Sequence, residues 1–584
     1  MDDLADLGIS QAFAVVGGGS MYLNNALGIS NRISTVYCHH EQACAMAAEG
    51  YARYTCDHPA LVCVTTGPGG TNALTGVVGA YLDSIPMIVI SGQCRYNTSV
   101  PSTGLPLRTR GIQEFNIVDT VKTMTKYSKL VTDPHEIRRE VRKAYDIAMS
   151  GRRGPVWLDI PQNVQNATIE EPDLLPPLDS PLPVDCPQQA VDDVLSALKQ
   201  AKRPCILAGA GIRYSGNHSA FLDFLARIRI PVVTAGSHPD VLSRDHQLNI
   251  GAEGLCGQRA GNFVLQNADV VLVLGASMSI VETGWLPELF APTAHIISVN
   301  IDSNEHLKPD LHVGTFIHAD LSRFFARAAN ASFSAPESWL EYALQAKSKF
   351  DPFEGCDADD GSGVNPYAFW KTYSELAPND ALTCLGNSSC IGGWLRHGSR
   401  FATQRSFVNV NFGSMGDDIT LAEGVATASG KPVNVICGDG AFMMNSQELA
   451  TIMHNRMPIR MVVFSNGGYG ALRRTWKRYF DGISAGCDKA SGISFPSFEK
   501  LVSAYSIPYR HCASHDELAE SIAWMLSQNG PAFLEVAESD TPPNNPCVIS
   551  RLRDDGTAEP ARLEDMSPPL DRQAFADMMS PSHQ

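Results

Sequence analysis

A carboxylate and an amide, each at the end of a short apolar run, carry the first chemical signal in this chain. Val433 to Cys437 is an apolar run that stops at Gly438-Asp439-Gly440, and Met461 to Phe464 is another that stops at Ser465-Asn466-Gly467-Gly468. Both read as buried parallel strands. A βαβ unit built from them brings Asp439 and Asn466 to the same carboxyl edge of a sheet, where α/β folds bind ligands. A hard carboxylate and an amide oxygen there suit a magnesium ion that shares its oxygen ligands with a diphosphate. Gly440 and Gly468 let the backbone approach phosphate oxygens, or turn a carbonyl or N–H toward the ion. Taken singly, each glycine turn is also what an ordinary tight turn looks like. Between the runs, Asn445 followed by Glu448 predicts a capping box, opening a helix whose apolar face is Leu449, Ile452 and Met453.

A second set of candidates lies near the start. Ser34 to Cys38 reads as a strand that ends in His39-His40-Glu41 and passes into QACAMAAEGYAR, a helix whose Ala43, Cys44, Ala47 and Ala48 permit very close packing against another helix. That packing is expected at a subunit interface. Glu41 sits at the amino end of this helix, half-buried, where the helix dipole favours its ionised form even without chemistry. Leu61 to Thr66 leads into Gly67-Pro68-Gly69-Gly70-Thr71-Asn72, which lacks the Lys-Ser/Thr pair of a nucleotide P-loop and reads as a cofactor-approach turn.

These candidates need sheets to hold them. Strands and helices alternate from Ala12 to Ile160, which predicts a parallel sheet. Asp2 to Leu7 precedes it and reads as the last turns of a helix that begins upstream. A proline cluster from Pro172 to Pro187 marks a linker. A second α/β unit follows, with strands at Cys205 to Ala208, Val232-Val233, Val270 to Leu274 and Ile296 to Val299. Its Gly209-Ala210-Gly211 is too short for a dinucleotide fingerprint. A loose segment from about Ala331 to Val364 leads to the third unit. That unit carries Leu382 to Leu385, Gly386-Asn387-Ser388, Gly413-Ser414-Met415-Gly416 and the βαβ element. The expected division is 1–167, 188–330 and 365–545, each a doubly wound parallel-sheet α/β domain, with a C-terminal arm or lid over 546–584.

Composition narrows the function. At 584 residues the chain is too long for one core, and its length suits roughly three or four domains. With 44% apolar and 18% charged residues it reads as compact and ordered. The 45 basic residues against 62 acidic give a net charge of −17, which argues against a nucleic-acid or anionic-membrane surface. No run approaches the length needed to cross a bilayer, and the start has no basic-then-apolar leader, so a cytoplasmic protein is expected. The 15 cysteines lack metal-site pair spacings and read as reduced core residues.

GDG, the stretch Ala441 to Phe464 and then Ser465-Asn466 resembles the thiamine diphosphate (ThDP) signature, with Ser465 in place of the first asparagine of the family's pair. HHEQACAMAAEGYAR, PGGTNALTGVVGAYLDSIPMIVISG and RRGPVWLDIP fall in the order found in the acetolactate synthase and pyruvate oxidase group of ThDP enzymes. The resemblance covers nearly the whole chain. It implies three domains, for pyrimidine, middle and diphosphate, with ThDP and Mg²⁺ as cofactors. Glu41 matches the glutamate that bonds the pyrimidine N1′, and Pro68 and Asn72 line that ring. Gly413 supplies a carbonyl to the 4′-amino group, and Met415 props the bent cofactor. Gly386, Asn387, Ser388, Gly438, Gly440, Ala441 and Tyr469 surround the diphosphate, and Asp439, Asn466 and Gly468 hold the metal. His40 and Gln113 match positions that face substrate. Because Glu41 and Asp439 belong to different domains, the family builds each site between two subunits, which implies at least a homodimer, with a tetramer expected.

The activity so implied is decarboxylation of a small 2-oxo acid, pyruvate first, with transfer of the acyl group to a carbonyl acceptor. A ThDP lyase or hydrolase acting on a 2-hydroxyacyl or cyclic-dione substrate is the second reading, and a ThDP-fold binding protein is the third. Ala471, Leu472, Thr475 and Trp476 occupy the family's substrate-choosing region and depart from the acetolactate synthase pattern, so an acceptor bulkier than pyruvate is expected. The resemblance also raises flavin adenine dinucleotide (FAD) in the middle domain, through Gly209, Gly211, the turn from Gly254 to Gly257 and an arginine of Arg152-Arg153. GASMSIVETG, after the third strand of that domain, lacks the arginine of the family's flavin contact.

Overall fold

The computed structural model describes residues 1–236, 238–480, 482–539, 546–553 and 557–580. The first sheet contains β1 (Gln11–Ala14), β2 (Ser34–Tyr37), β3 (Leu61–Val64), β4 (Met87–Gln93), β5 (Tyr127–Leu130) and β6 (Pro155–Pro161). The second contains β7 (Pro204–Ala208), β9 (Val232–Thr234), β10 (Asn249–Ala252), β11 (Val270–Leu274), β12 (His295–Asn300) and β13 (Thr315–His318), while β8 (Ile228–Arg229) pairs beside it with β14 (Phe333–Ser334). The third contains β15 (Leu382–Leu385), β16 (Arg405–Phe407), β17 (Val433–Gly438), β18 (Ile459–Ser465), β19 (Tyr509–Cys512) and β20 (Ala532–Ala537). A short antiparallel pair, β21 (Arg551–Leu552) and β22 (Ala558–Glu559), follows.

Each large sheet has six strands, in the orders β2-β1-β3-β4-β6-β5, β10-β9-β7-β11-β12-β13 and β16-β15-β17-β18-β20-β19. Their ladders are parallel, as expected when apolar strands alternate with helices that cover both faces. β17 and β18 are neighbours from Val433↔Ile459 to Gly438↔Phe464, so Asp439 and Asn466 leave the same edge.

The small residues after Glu41 pack differently from the expectation. The helix Glu41–Thr55 lies against the helix Asp417–Ser429 of the same chain. A Cβ at Gly50 would overlap the Leu421 carbonyl, and one at Gly424 would overlap the Ala47 carbonyl. The stripe therefore seats the first unit on the third. One continuous apolar core runs through both, from Phe13 and Trp157 to Phe442 and Phe533.

One further expectation is corrected. The segment after Ala331 contains a helix, Glu337–Lys349, whose Trp339, Tyr342, Ala343 and Ala346 are buried on the middle unit. The described part of the arm packs on the middle unit, and its Ser550 carbonyl accepts from Arg478 Nη2 at 2.7 Å, on the helix Gly470–Tyr479. Leu563, Met566 and Met578 join the core of the middle unit, where Asn262 and Asn267 bond the carbonyls of Leu563 and Met578. The expected boundary at 545 and the last residues of the arm lie outside the described residues. No helix among the described residues is long and apolar enough to cross a membrane.

Candidate active site

Asp439 begins the helix Asp439–Met444 directly at the end of β17. Its carboxylate is 2% exposed and accepts three backbone N–H groups: Gly440 at 2.7 Å, and Asn466 and Gly468 at 3.1 Å each. Burial pushes the Asp439 carboxyl up, with these N–H donors opposing and Glu538 adding to the rise. A hard dication at this point would hold the group ionised. Asp439, Asn466 and Gly468 are thus brought together through two backbone N–H groups, and a carboxylate, an amide oxygen and a carbonyl are donor types that magnesium takes.

The other residues of this edge complete a cradle. A Cβ at Gly440 would enter the Tyr469 ring, so only glycine admits that approach. At Gly386 a Cβ would come within 2.9 Å of Asp418 Oδ2 and 3.0 Å of Cys437. Ser388 adopts φ 63° and ψ −127° just before the helix Ser389–His397, a strained turn for a non-glycine residue, and its side chain does not cap that helix. Asn387 Nδ2 donates to the Gly413 carbonyl at 2.9 Å, joining the two turns, and Gly413 itself has φ 65°. Met415 is half-buried beside them, and Ser414 Oγ is buried without a hydrogen-bond partner. Such a cradle, lined by one orphaned hydroxyl and backbone donors, fits a diphosphate and its metal.

Glu41 is the first residue of its helix and is 9% exposed. Its carboxylate accepts from Asn72 Nδ2 at 2.9 Å. The helix cap is His40, whose Nδ1 accepts from Gln42 N at 3.1 Å. The capping role that could have accounted for Glu41 therefore belongs to its neighbour. Pro68 opens the short helix Pro68–Asn72 and is exposed, so this side stands open. Gly67, at φ 59°, packs so closely under the Gln113 carbonyl that no Cβ would fit, while Gln113 is exposed at φ 55°. Among the described residues, no hydrogen bond or ion pair joins Glu41, His40 or Gln113 to the Asp439 and Gly413 set.

The capping box expected at Asn445 and Glu448 does not form. Asn445 Nδ2 donates to the Gly416 carbonyl at 2.8 Å, and Glu448 accepts His39 N at 3.2 Å on each oxygen. Both side chains hold the seam between the units; the helix Asp439–Met444 ends before Asn445, and Leu449, Ile452 and Met453 fall on a separate short helix, Leu449–His454.

Several residues at the edge went unnoticed in the sequence. Glu538, at the end of β20, accepts from Asn466 Nδ2 and Ser389 Oγ at 2.7 Å each. Arg53 is fully buried, paired with Glu49 at 2.6 Å and with Asp83. Burial lifts the Glu49 carboxyl to about 7 despite that arginine. Asn409 reaches Glu49 at 3.2 Å and Asn411 reaches Asp83 at 2.6 Å, which anchors the loop leading to Gly413. The spacing of Glu49 and Arg53, one helical turn apart among small residues, was the available signal.

A cavity of about 360 Å³ lies elsewhere, at the carboxyl ends of β7 and β11, where the strand order of the middle sheet reverses. Gly211, Gly275 and Asn300 line it on one side, Asp83 and Arg152 on the other. Arg152 is paired there with Asp302 at 3.0 Å and Glu305 at 2.5 Å. A Cβ at Gly209 or Gly211 would strike the Gly275 turn, so these glycines serve turn-to-turn packing. The Gly254 to Gly257 turn is not part of the lining.

Comparison with known proteins accords with this arrangement. The family described as "Thiamine pyrophosphate enzyme, N-terminal TPP binding domain" matches residues 1–119, the corresponding central domain matches 191–326, and the C-terminal TPP binding domain matches 387–536. The chain is similar to the probable acetolactate synthase large subunit of Methanocaldococcus jannaschii, at 31% identity over 558 residues, 91% of this chain and 89% of that one. It is 29% identical to the acetolactate synthase isozyme 2 large subunit of Escherichia coli, covering 91% and 93% of the two chains. The acetolactate synthase large subunit of Lactococcus lactis is 29% identical, covering 95% and 94%.

Proposed function

Because this chain belongs to the ThDP-dependent enzymes of the acetolactate synthase type, we propose that it decarboxylates a small 2-oxo acid, pyruvate first, and joins the acyl group to a carbonyl acceptor. The observation that carries this reading is the convergence of the Asp439 carboxylate with the N–H groups of Asn466 and Gly468 at one sheet edge. When bound, ThDP supplies a thiazolium that takes up the electron pair left when the carbon–carbon bond of the 2-oxo acid breaks. Asp439, Asn466 Oδ1 and the Gly468 carbonyl would hold Mg²⁺, beside Gly438. Gly386, Asn387, Ser388, Gly440, Ala441 and Tyr469 close around the phosphates.

Glu41 would hold a proton toward the pyrimidine N1′ of bound ThDP, and Asn72 and Pro68 would line that ring. The Gly413 carbonyl would accept from the 4′-amino group, and Met415 would pack against the cofactor rings. His40 and Gln113 face the substrate. His40 uses Nδ1 in its cap, which leaves Nε2 for proton transfer. The working unit is at least a homodimer. Its support is that Glu41 turns to Asn72, with no bond to the Asp439 set within the chain.

On the helix Gly470–Tyr479, Ala471, Leu472 and Thr475 are exposed and Trp476 is half-buried with its indole N–H unpartnered. This open surface supports an acceptor larger than pyruvate. Purified protein with pyruvate, ThDP and Mg²⁺ should release carbon dioxide and ligate a bulky ketone faster than a second pyruvate. If neither carbon dioxide nor a ligation product forms with any ketone, the reading fails.

FAD is a second cofactor, favoured by the cavity at the switch point of the middle sheet. Arg152, paired with two carboxylates, would have to exchange them for the pyrophosphate. A colourless preparation after loading with FAD ends that part of the reading.

A further inference from the structure

We propose that Cys38, Glu423 and Glu448, with Cys44 as the nearest fourth donor, form a second metal site for a thiophilic divalent ion of the zinc class. The site would lie on the seam between the first and third sheets. Cys38 follows β2, Cys44 lies in the Glu41–Thr55 helix, Glu423 is in the middle of the Asp417–Ser429 helix, and Glu448 ends the turn Ser446–Glu448. The Cys38 thiol and one oxygen of each glutamate lie within 4.8 Å of one another, all buried. The Cys44 thiol lies next to that of Cys38.

Glu423 is the independent sign of a missing partner. It is 0% exposed, and neither carboxylate oxygen has a hydrogen-bond partner. An unpaired buried carboxyl is costly, and such groups in native proteins call for an ion, a water or a special role. Glu448, by contrast, is held by His39 N and by Thr451 Oγ1 at 2.6 Å, so its orientation is fixed. Those partners are neutral, and two carboxyl groups face each other without a counter-charge.

The donor set selects the ion. Zinc bonds of about 2.0–2.3 Å place tetrahedral donors roughly 3.5 Å apart, so the donors need approach by no more than roughly 1.3 Å. Two thiolates with two carboxylates favour zinc over magnesium, which takes oxygen and suits Asp439 instead. The adjacent Cys44 thiol and burial push the Cys38 thiol up, and burial with Cys38 and Glu448 alongside pushes the Glu423 carboxyl up, so loading releases protons. The ion would tie the head of the Glu41 helix, three residues beyond Cys38, to the third unit.

The test uses the holoenzyme with Mg²⁺ and ThDP, in a Cys256→Ser background because Cys256 is exposed. After dialysis against Zn²⁺ and then buffer, elemental analysis should find about one zinc per chain, and Co²⁺ loading should give a thiolate charge-transfer band in the near ultraviolet. Cys38→Ser should lose about half of the band and the Cys38→Ser/Cys44→Ser variant all of it, and Glu423→Gln should lose the retained zinc, with stabilisation by ThDP preserved in each. No retained zinc and no thiolate band in the parent overturns the site, whether or not any variant folds. Equal zinc in parent and all variants also overturns it.

Discussion

The Asn466 side-chain amide donates to Glu538 at 2.7 Å, while the backbone N–H of the same residue donates to Asp439 Oδ2 at 3.1 Å. Glu538 thereby settles which end of the amide is oxygen, leaving Oδ1 for a cation and for Arg473 Nη2, 3.1 Å away. A charged acceptor makes such a bond worth about 1.5–3 kcal/mol. Glu538→Gln should therefore raise the Mg²⁺ concentration for half-maximal ThDP stabilisation roughly ten-fold or more. A Mg²⁺ titration followed by thermal shift reads this directly. An unchanged midpoint would leave Glu538 as a bond to Ser389 alone.

Glu41→Gln should keep ThDP bound and lower turnover by on the order of 10²-fold or more, as for a lost acid–base group. Asp439→Ala should fail earlier, with no rise in melting temperature on adding ThDP and Mg²⁺. Calorimetric binding and turnover, measured on both variants, separate the two. Full activity in Glu41→Gln would reduce that residue to its bond with Asn72.

Gly424→Ala places a methyl group against the Ala47 carbonyl in the packed seam. Overpacking there should cost about 1–3 kcal/mol or more in denaturant unfolding. Gly28→Ala is the control, because its Cβ meets nothing within 4 Å and it lies in the helix Met21–Ile29. It should be neutral or stabilising by up to about 1 kcal/mol. Equal effects from the two would show that the seam yields freely.

Asp159 on β6 is buried against Ser91 and Gln93, and burial lifts its carboxyl to about 7. The folded chain then binds a proton that the unfolded chain has released. Stability from this group is full below the unfolded value near 4 and is lost as pH rises toward 7. Asp159→Asn keeps the shape and removes the titration. Its stability relative to the parent should rise between about pH 4 and 7, read from urea midpoints across that range. A pH-independent difference would remove Asp159 as the source.

The sequence by itself determined the parts that are local. Gly438-Asp439-Gly440 and Asn466 end neighbouring strands of one βαβ unit, so their meeting follows from right-handed crossover and apolar run length. Glu41 at a helix start beside Asn72 needed only the next strand and turn. Tertiary structure decided the rest, because the partners are distant in the chain or compete with local ones. Asn445 and Glu448 had the spacing of a capping box, but Gly416 and His39 offered them bonds that local capping could not match. Glu538 reaches Asn466 only because β20 pairs beside β18. The small side chains after Glu41 fixed that something would approach closely. Only the fold decided that it is the Asp417–Ser429 helix, since close packing specifies shape and not the identity of the partner.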